Sequence, residues 1–142
     1  MPRGPAEEPI GRLLASVSKA VSRAFDAELA AAGGSQAVWL VLLALKRGGG
    51  GKQRDLAAAV GIEGPTVTHH LDGLEKAGLV RRERDPDDRR AVRVELTPDG
   101  EALFLRLARA ARAFDERLRD GLADAEIEAV RTVLRKLHAN VT

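Results

Sequence analysis

The feature that most constrains the fold of this 142-residue sequence is a change of periodicity at Gly78. Before Gly78, apolar residues recur every three or four positions in two short segments, 53–60 and 65–77, which indicates two short helices. After it, two strand-like runs, 79–84 and 91–96, flank a turn-rich loop, and apolar residues alternate with polar ones in the second run. This pattern is typical of a β-hairpin. The sequence therefore predicts two short helices followed at once by a hairpin.

The segment over 65–77 has well-marked ends and a defined apolar side. Pro65 suits the first turn of a helix, where its missing N–H costs nothing, and Gly78 supplies the left-handed residue that often ends one. The inward residues of this helix are Val67, Leu71 and Leu74, and those of the preceding helix are Leu56, Ala59 and Val60. Two short helices and a hairpin make a winged helix-turn-helix, whose second helix enters the DNA major groove. We therefore expect the 65–77 helix to be a recognition helix.

The opposite face of this helix carries small polar groups and imidazoles, namely Thr66, Thr68, His69, His70 and Gly73. Thr66 lies near the helix N-terminus, where free N–H groups favour a phosphate, and His69 lies one turn inside, within reach of a base edge. The alternative is a plain solvated face, although such a face would usually carry Glu and Lys. A metal site is less favoured than either, because adjacent helical residues point about 100° apart and no carboxylate or cysteine joins the histidines at ligand spacing.

The hairpin carries six arginines in thirteen residues, which are Arg81, Arg82, Arg84, Arg89, Arg90 and Arg93. Four acids are interleaved with them, and a plain phosphate clamp would not need those acids. An aspartate two residues before an arginine at a loop tip can hold the guanidinium in one orientation, ready for a narrow minor groove. We therefore predict that Asp88 and Arg90 form a DNA-binding pair, and the alternative is a polar turn of balanced charge.

Helices are also predicted before this region. A stripe of apolar residues over 10–29 indicates a long helix, and Ser35 is placed to cap a second one that is apolar nearly all round and runs through Leu45. The four glycines at 48–51 are expected to form a flexible break.

Two further helices are predicted after the hairpin. Thr97, Pro98 and Asp99 supply a hydroxyl cap, a proline at the first position and an acid in the first turn of a helix that runs to about Asp120. Asp124 is expected to cap the last helix, on which His138 is expected to be a surface residue. The predicted fold is mostly α with a small β-hairpin wing.

Composition excludes several classes of protein. Hydrophobic residues make up 44% and charged residues 31% of a chain whose length fits one domain, as in soluble globular proteins. The absence of cysteine excludes a disulfide framework, a thiolate metal site and a thiol redox sensor, and it fits the cytoplasm. The first ten residues lack the apolar core of a signal peptide, and we expect no membrane span.

Charge and motif content narrow the functional classes. The net charge is only +2, from 23 basic and 21 acidic side chains, so nucleic-acid binding must depend on where the charges lie. The sequence has no nucleophile-base set and no glycine-rich phosphate loop. We therefore expect neither an enzyme nor a cofactor.

Three stretches, Asp55–Ala57, Thr66–Arg82 and Asp88–Gly100, closely resemble the MarR (multiple antibiotic resistance regulator) family. The most specific motif is Asp-x-Arg followed by Val-x-Leu-Thr-x-x-Gly in the third stretch, and helix order extends the match over nearly the whole chain. The sequence differs from the family pattern at two places. Lys52 occupies a position that is often a capping Ser or Thr, and the glycines before it make poor strand material, so the small third strand common in the family is not expected here.

The resemblance implies a homodimeric transcriptional regulator, in most cases a repressor, that binds a palindromic operator in double-stranded DNA. It gives recognition-helix positions to Thr66, Thr68, His69 and His70, and the wing-tip positions to Asp88 and Arg90. It also divides the chain, a single domain over 1–142, into a DNA-binding lobe over 35–97 and dimerisation helices over 9–32 and 98–140.

Members of this family often release DNA when a small aromatic ligand enters between the dimer helices and the DNA-binding lobe. Trp39, Leu43 and Phe104 are the candidates to line such a cleft, and the alternative is that they are plain core. A different class of function for the same fold is a winged helix that contacts only protein. That module would show no salt-dependent DNA binding and would not need the Asp88 and Arg90 geometry.

Overall fold

The computed structural model describes residues 7–48, 51–61 and 64–142 and is mostly helical with one small sheet. The elements, in chain order, are α1 (Ile10–Ala31), α2 (Gln36–Gly48), β1 (Gly51–Lys52), α3 (Gln53–Val60), α4 (Gly64–Lys76), β2 (Val80–Arg84), β3 (Val92–Leu96), α5 (Pro98–Leu118) and α6 (Asp124–Val141). The predicted helices and both hairpin strands are therefore confirmed. Of the predicted glycine break, Gly49 and Gly50 lie outside the described residues, as do the first six residues of the chain.

The sheet has three antiparallel strands in the order β1-β3-β2, which corrects the expectation of a two-stranded hairpin. Gly51 pairs with Val94 and Lys52 with Arg93. The glycines were expected to disfavour this strand. A two-residue strand needs only backbone groups, however, and β3 offers a preformed edge to pair with, so side-chain propensity has little influence.

The chain divides into two compact units, Met1–Ala111 and Arg112–Thr142, with the boundary inside α5. The first unit encloses a core of buried apolar side chains from every element except β1 and α6, namely Leu29, Val41, Leu42, Leu45, Leu56, Val67, Leu71, Leu74, Val80, Val94, Leu103 and Leu107. Within the described residues, no single helix is long and apolar enough to span a membrane, and only α1 and α2 taken together, across a bend of 72°, reach that length and hydropathy.

Two details of helix packing differ from the sequence prediction. Ala59 of α3 is exposed rather than inward, and Ala57 takes its place against the core. Leu40 of α2 is also exposed, so this helix is not buried on all sides.

The helix ends follow local hydrogen bonds, with one correction. The Ser35 hydroxyl accepts the Val38 N–H at 3.2 Å, so the predicted cap of α2 is confirmed. Asp124 does not cap α6, because it is already the first helical residue. Instead the Glu126 carboxylate accepts the N–H of Ala123, the residue before the helix, at 3.0 Å, which satisfies that donor from within the first turn.

Thr97 joins the start of α5 to the base of the hairpin. Its hydroxyl accepts the Gly100 N–H at 3.1 Å, as a cap should, and donates to the Gly78 carbonyl at 2.6 Å. Its own N–H donates to the Leu79 carbonyl at 3.1 Å. Gly100 is buried so close to that carbonyl that an added Cβ would collide with the Leu79 oxygen. The junction therefore fixes where α5 leaves the wing.

Candidate nucleic-acid interface

The orientation of α4, the predicted recognition helix, is set by its buried side. Val67, Leu71 and Leu74 are at most 5% exposed, as predicted. The remaining positions therefore face outward to different degrees. Thr66, His69, Asp72 and Gly73 are exposed, whereas Thr68 and His70 are half-buried.

Thr68 is held in place by the neighbouring helix. The side-chain amide of Gln53, the first residue of α3, donates to the Thr68 hydroxyl at 2.8 Å. Sequence reasoning did not single out Gln53. Its position at the start of the first short helix, just after the predicted glycine break, was the available signal.

His69 and His70 lie side by side on α4. Their ring centroids are 5.8 Å apart and the rings are tilted by 59°. Together with Asp72, Gly73 and Lys76 they line a shallow groove that Val38 of α2 also borders. In the described part of the chain, no three His, Cys, Asp or Glu side chains converge in a way that could hold a metal ion.

The wing tip is a tight loop ordered by its own acids. The Asp85 N–H donates to the Ala91 carbonyl at 2.9 Å and closes the loop, and the Ala91 N–H donates to the Asp88 carbonyl at 2.9 Å. The Asp85 side chain is buried and accepts the Asp87 N–H at 2.9 Å. The interleaved acids therefore shape the backbone of the turn, which explains why a hairpin rich in arginine carries them.

Asp88 acts on the backbone rather than on a guanidinium. Its carboxylate accepts the Arg90 backbone N–H at 3.1 Å, and no ion pair within the described residues joins it to the Arg90 side chain. Asp88 thus fixes the direction in which residue 90 leaves the turn, while the Arg90 side chain stays exposed. This contact differs from the guanidinium contact predicted from the sequence.

The predicted site residues fall into two neighbouring groups. Thr68, Asp88 and Arg90 line one groove with Lys52 and Gln53, between the starts of α3 and α4 and the wing. His69 and His70 lie in the second groove, along α4. Thr66 is exposed near the start of α4.

Arg82 of β2 joins the wing to α4. Its guanidinium pairs with the carboxylates of Asp72 and Glu75, the latter at 3.1 Å, and its backbone N–H donates to Glu75 at 3.2 Å. The hydrogen bond from Arg82 holds the pKa of Glu75 below its ordinary value, and the bond to Glu75 raises the pKa of Arg82. Glu75 and Arg82 therefore remain charged and paired at neutral pH.

The other wing cations are mostly unpaired. Arg81 pairs with Glu95 across the hairpin at 3.8 Å. Within the described residues, the remaining four arginines of the hairpin take part in no ion pair, and these are Arg84, Arg89, Arg90 and Arg93. All four are exposed. The wing therefore presents unneutralised positive charge to solvent.

Comparison with known proteins agrees with this geometry. The sequence model of the MarR family matches residues 35–92. Transcriptional regulator PA3341, known from a crystal structure, is 40% identical to this chain in sequence. The match covers 94% of this chain and 98% of PA3341, and the two structures superpose with a TM-score of 0.75. The chain belongs to the MarR family. Like the other MarR-family proteins, it is a transcriptional regulator with a winged helix fold.

Two further similar structures come from proteins for which a ligand or DNA is named. Bordetella bronchiseptica BpsR, described in a study of how 6-hydroxynicotinic acid regulates its DNA binding, is 31% identical over 92% of this chain and 99% of its own, with a TM-score of 0.78. A mutant of MarR from E. coli, solved in complex with operator DNA, is 25% identical over 91% of this chain and 93% of its own, with a TM-score of 0.81.

Two of the three residues predicted for a ligand cleft in this MarR-family chain, Trp39 and Phe104, contact each other. The Trp39 and Phe104 rings stack with centroids 5.6 Å apart and planes within 14°. The Lys46 ammonium lies 5.9 Å from the Phe104 ring centre and pairs with Glu101 at 2.7 Å. Leu43 is half-buried, and both rings pack against the core, so in this state they serve as partly exposed core residues.

Proposed function

We propose that this MarR-family regulator binds double-stranded DNA sequence-specifically, as a homodimer on a palindromic operator, and acts as a repressor in the cytoplasm. The observation that carries the proposal is the charge of the face formed by α4 and the wing. Four wing arginines are unpaired within the described residues, whereas the carboxylates of Asp72 and Glu75 are both paired with Arg82. Such a face attracts phosphates and leaves the outer side of α4 to contact bases.

Each candidate residue has a defined role in this proposal. Thr66, near the N-terminus of α4, contacts a backbone phosphate, and His69 and His70 face base edges in the major groove. Thr68, whose hydroxyl accepts a hydrogen bond from Gln53, contacts the DNA from the same helix. Arg90 enters the minor groove, and Asp88 orders the turn that presents it. The operator complex of the E. coli relative supports this use of the fold.

The direct test is nuclease footprinting on the DNA upstream of the chain's own gene. We expect a protected palindrome whose half-sites lie about one helical turn apart, centre to centre, because two symmetric recognition helices must face one side of the duplex. Protection should weaken steeply as salt rises. Absence of salt-dependent protection on this DNA and on a random-sequence library would reject the proposal in favour of a winged helix that contacts only protein.

The homodimer is proposed from apolar surface left uncovered in one chain. Among the described residues, α6 has no buried side chain although it is amphipathic over 18 residues. Its exposed apolar residues are Val130, Val133, Leu134 and Val141, and those of α1 are Ile10, Leu13, Leu14 and Val17. Apolar faces of this extent are seldom left in water. We therefore assign dimerisation to 9–32 and 98–140, and DNA binding to 35–97, within a single domain over 1–142.

Sedimentation should show two chains per particle at micromolar concentration. Truncation from residue 122 onward removes α6 and should abolish both dimerisation and operator binding, because each half-site would then be bound by one lobe alone. A stable, well-folded full-length monomer at that concentration would refute the dimer, as would a truncated chain that still dimerises and binds normally.

A small aromatic effector is part of the same proposal. Trp39, Leu43 and Phe104 are the residues we assign to its cleft, and Lys46, which pairs with Glu101, lies beside the Phe104 ring. The regulation of BpsR by 6-hydroxynicotinic acid is the observation on a relative that supports it.

A further inference from the structure

We propose that Arg82 is a positioning residue for DNA binding, which fixes the wing on the recognition helix and offsets part of the Asp72 charge without itself touching DNA. The inference rests on the proposed DNA-binding function. It concerns a residue that sequence reasoning counted only as one of six hairpin arginines.

The contacts of Arg82 join the two elements that face the nucleic acid. The guanidinium bonds to Asp72 and Glu75 of α4, and the backbone N–H of the same residue bonds to Glu75. The Arg82 side chain is only 19% exposed, in contrast to 63% for its neighbour Arg81. Both carboxylates accept from the same guanidinium nitrogen, Nη2, whose two N–H groups can serve one carboxylate each. Arg82 is therefore committed to α4 and unavailable to a phosphate.

Arg82 lies far enough from the wing-tip loop that a small rotation of the hairpin at Arg82 would move the loop. Arg82 is the middle residue of β2 and pairs with Val94 of β3. Strands rise roughly 3.3 Å per residue, so the loop that begins at Asp85 lies about 10 Å from Arg82. A tilt of about 10° at Arg82 would displace the loop by about 2 Å, well beyond the tolerance of a hydrogen bond. The contacts of Arg82 with Asp72 and Glu75, which we call the clamp, therefore fix the position of Arg90 in the wing-tip loop.

The charge of Asp72 is the second reason for the clamp. Asp72 is exposed on α4 and lines the groove that contains His69 and His70. An unpaired carboxylate there would oppose a DNA phosphate over the distances at which charges act in salt solution. Pairing with Arg82, whose single positive charge is shared with Glu75, reduces that repulsion while keeping the two elements joined.

The experiment measures operator affinity for the full-length protein and a set of variants. We expect Arg82→Ala to weaken binding about tenfold, as for residues coupled in one network, and Arg82→Lys to lie between it and the wild type. Adding Asp72→Asn to Arg82→Ala should restore only part of the loss, because it removes the charge and not the misplacement. Arg90→Ala should cost less in the Arg82→Ala background than in the wild type, because the tip is already displaced.

The matched control is Arg81→Ala, which removes the same charge from the same strand at a residue paired only within the hairpin. An equal loss in Arg81→Ala would show that bulk charge is responsible. Full restoration by Asp72→Asn would show that Arg82 acts by charge alone, and independent effects of Arg82→Ala and Arg90→Ala would rule out positioning. Each of these results overturns the proposal, as does unchanged affinity in Arg82→Ala.

Hydrogen exchange provides a readout that does not depend on DNA. In Arg82→Ala and Arg82→Lys, the amides of β2 and of the 85–91 loop should exchange faster, while those of α2 should not change. If wild type binds no DNA but exchange changes in this way, the proposed function has failed and the clamp stands. If wild type binds DNA and neither affinity nor exchange responds to Arg82, the clamp has failed and the function stands.

Discussion

Replacing Gly100 by alanine should lower the free energy of unfolding by about 3 kcal/mol, an overpacking cost at the upper end of the usual range. The added Cβ would collide with the Leu79 carbonyl oxygen, which already accepts the Thr97 N–H. Backbone cannot move aside as a side chain can, and the same junction holds the Thr97 hydroxyl against Gly78. Urea unfolding followed by circular dichroism would measure the change at constant protein concentration.

Two other glycine substitutions make this result interpretable. Gly73→Ala, in the interior of α4 with no atom near the new Cβ, should stabilise the protein by about 0.5–1 kcal/mol through helix propensity. Gly34→Ala should have an intermediate cost, because its Cβ would lie 2.8 Å from the side chain of Leu107, which can shift in part. Equal stability changes at all three positions would contradict the packing argument, as would a neutral Gly100→Ala.

Features that depend on neighbours in sequence could be predicted from the sequence. Ser35 and Thr97 cap helices as expected, because a hydroxyl just before a helix meets free N–H groups a few residues away whatever the tertiary fold. Gly78 takes the predicted left-handed conformation after α4. The buried side of α4 followed from its spacing of three and four residues.

Features that depend on geometry across elements could not be predicted in this way. With 23 basic and 21 acidic side chains, the sequence offers many pairings for Arg82, and its choice of Asp72 and Glu75 follows only from the packing of β2 against α4. The strand β1 forms because β3 is already in place beside it. Asp124 does not cap α6 because the helix begins one residue earlier than predicted, which places Asp124 inside the first turn.

The predicted site contains features of both kinds, those that follow from local sequence and those that depend on contacts between elements. The outer face of α4 followed from periodicity, so the exposure of Thr66 and His69 was predictable. The contact of Thr68 with Gln53 was not, because the two residues come from different helices. The spacing of Asp88 and Arg90 predicted an interaction but not that the carboxylate would accept the backbone N–H, since both contacts suit the same two-residue separation.

The variants Arg90→Ala and His69→Ala should affect DNA binding in different ways, because their side chains face different grooves. Arg90→Ala should weaken binding to all sites by a similar factor and reduce the salt slope by about one unit, leaving base preference intact apart from an A·T bias in the flanks. His69→Ala should flatten preference at one or two base pairs, at a cost of roughly 1–3 kcal/mol on the best site. A randomised operator library, titrated at two salt concentrations, would measure both effects.

Arg81→Ala is the control for the loss of one positive charge, since it leaves the turn contact between Asp88 and Arg90 in place. It should change the salt slope less than Arg90→Ala, because Arg81 is paired with Glu95 and Arg90 is exposed and unpaired within the described residues. If His69→Ala lowers affinity equally for every sequence, the outer face of α4 does not contact bases at His69. If Arg90→Ala changes nothing, the wing tip does not enter the minor groove, and Asp88 orders the turn for a purely structural reason.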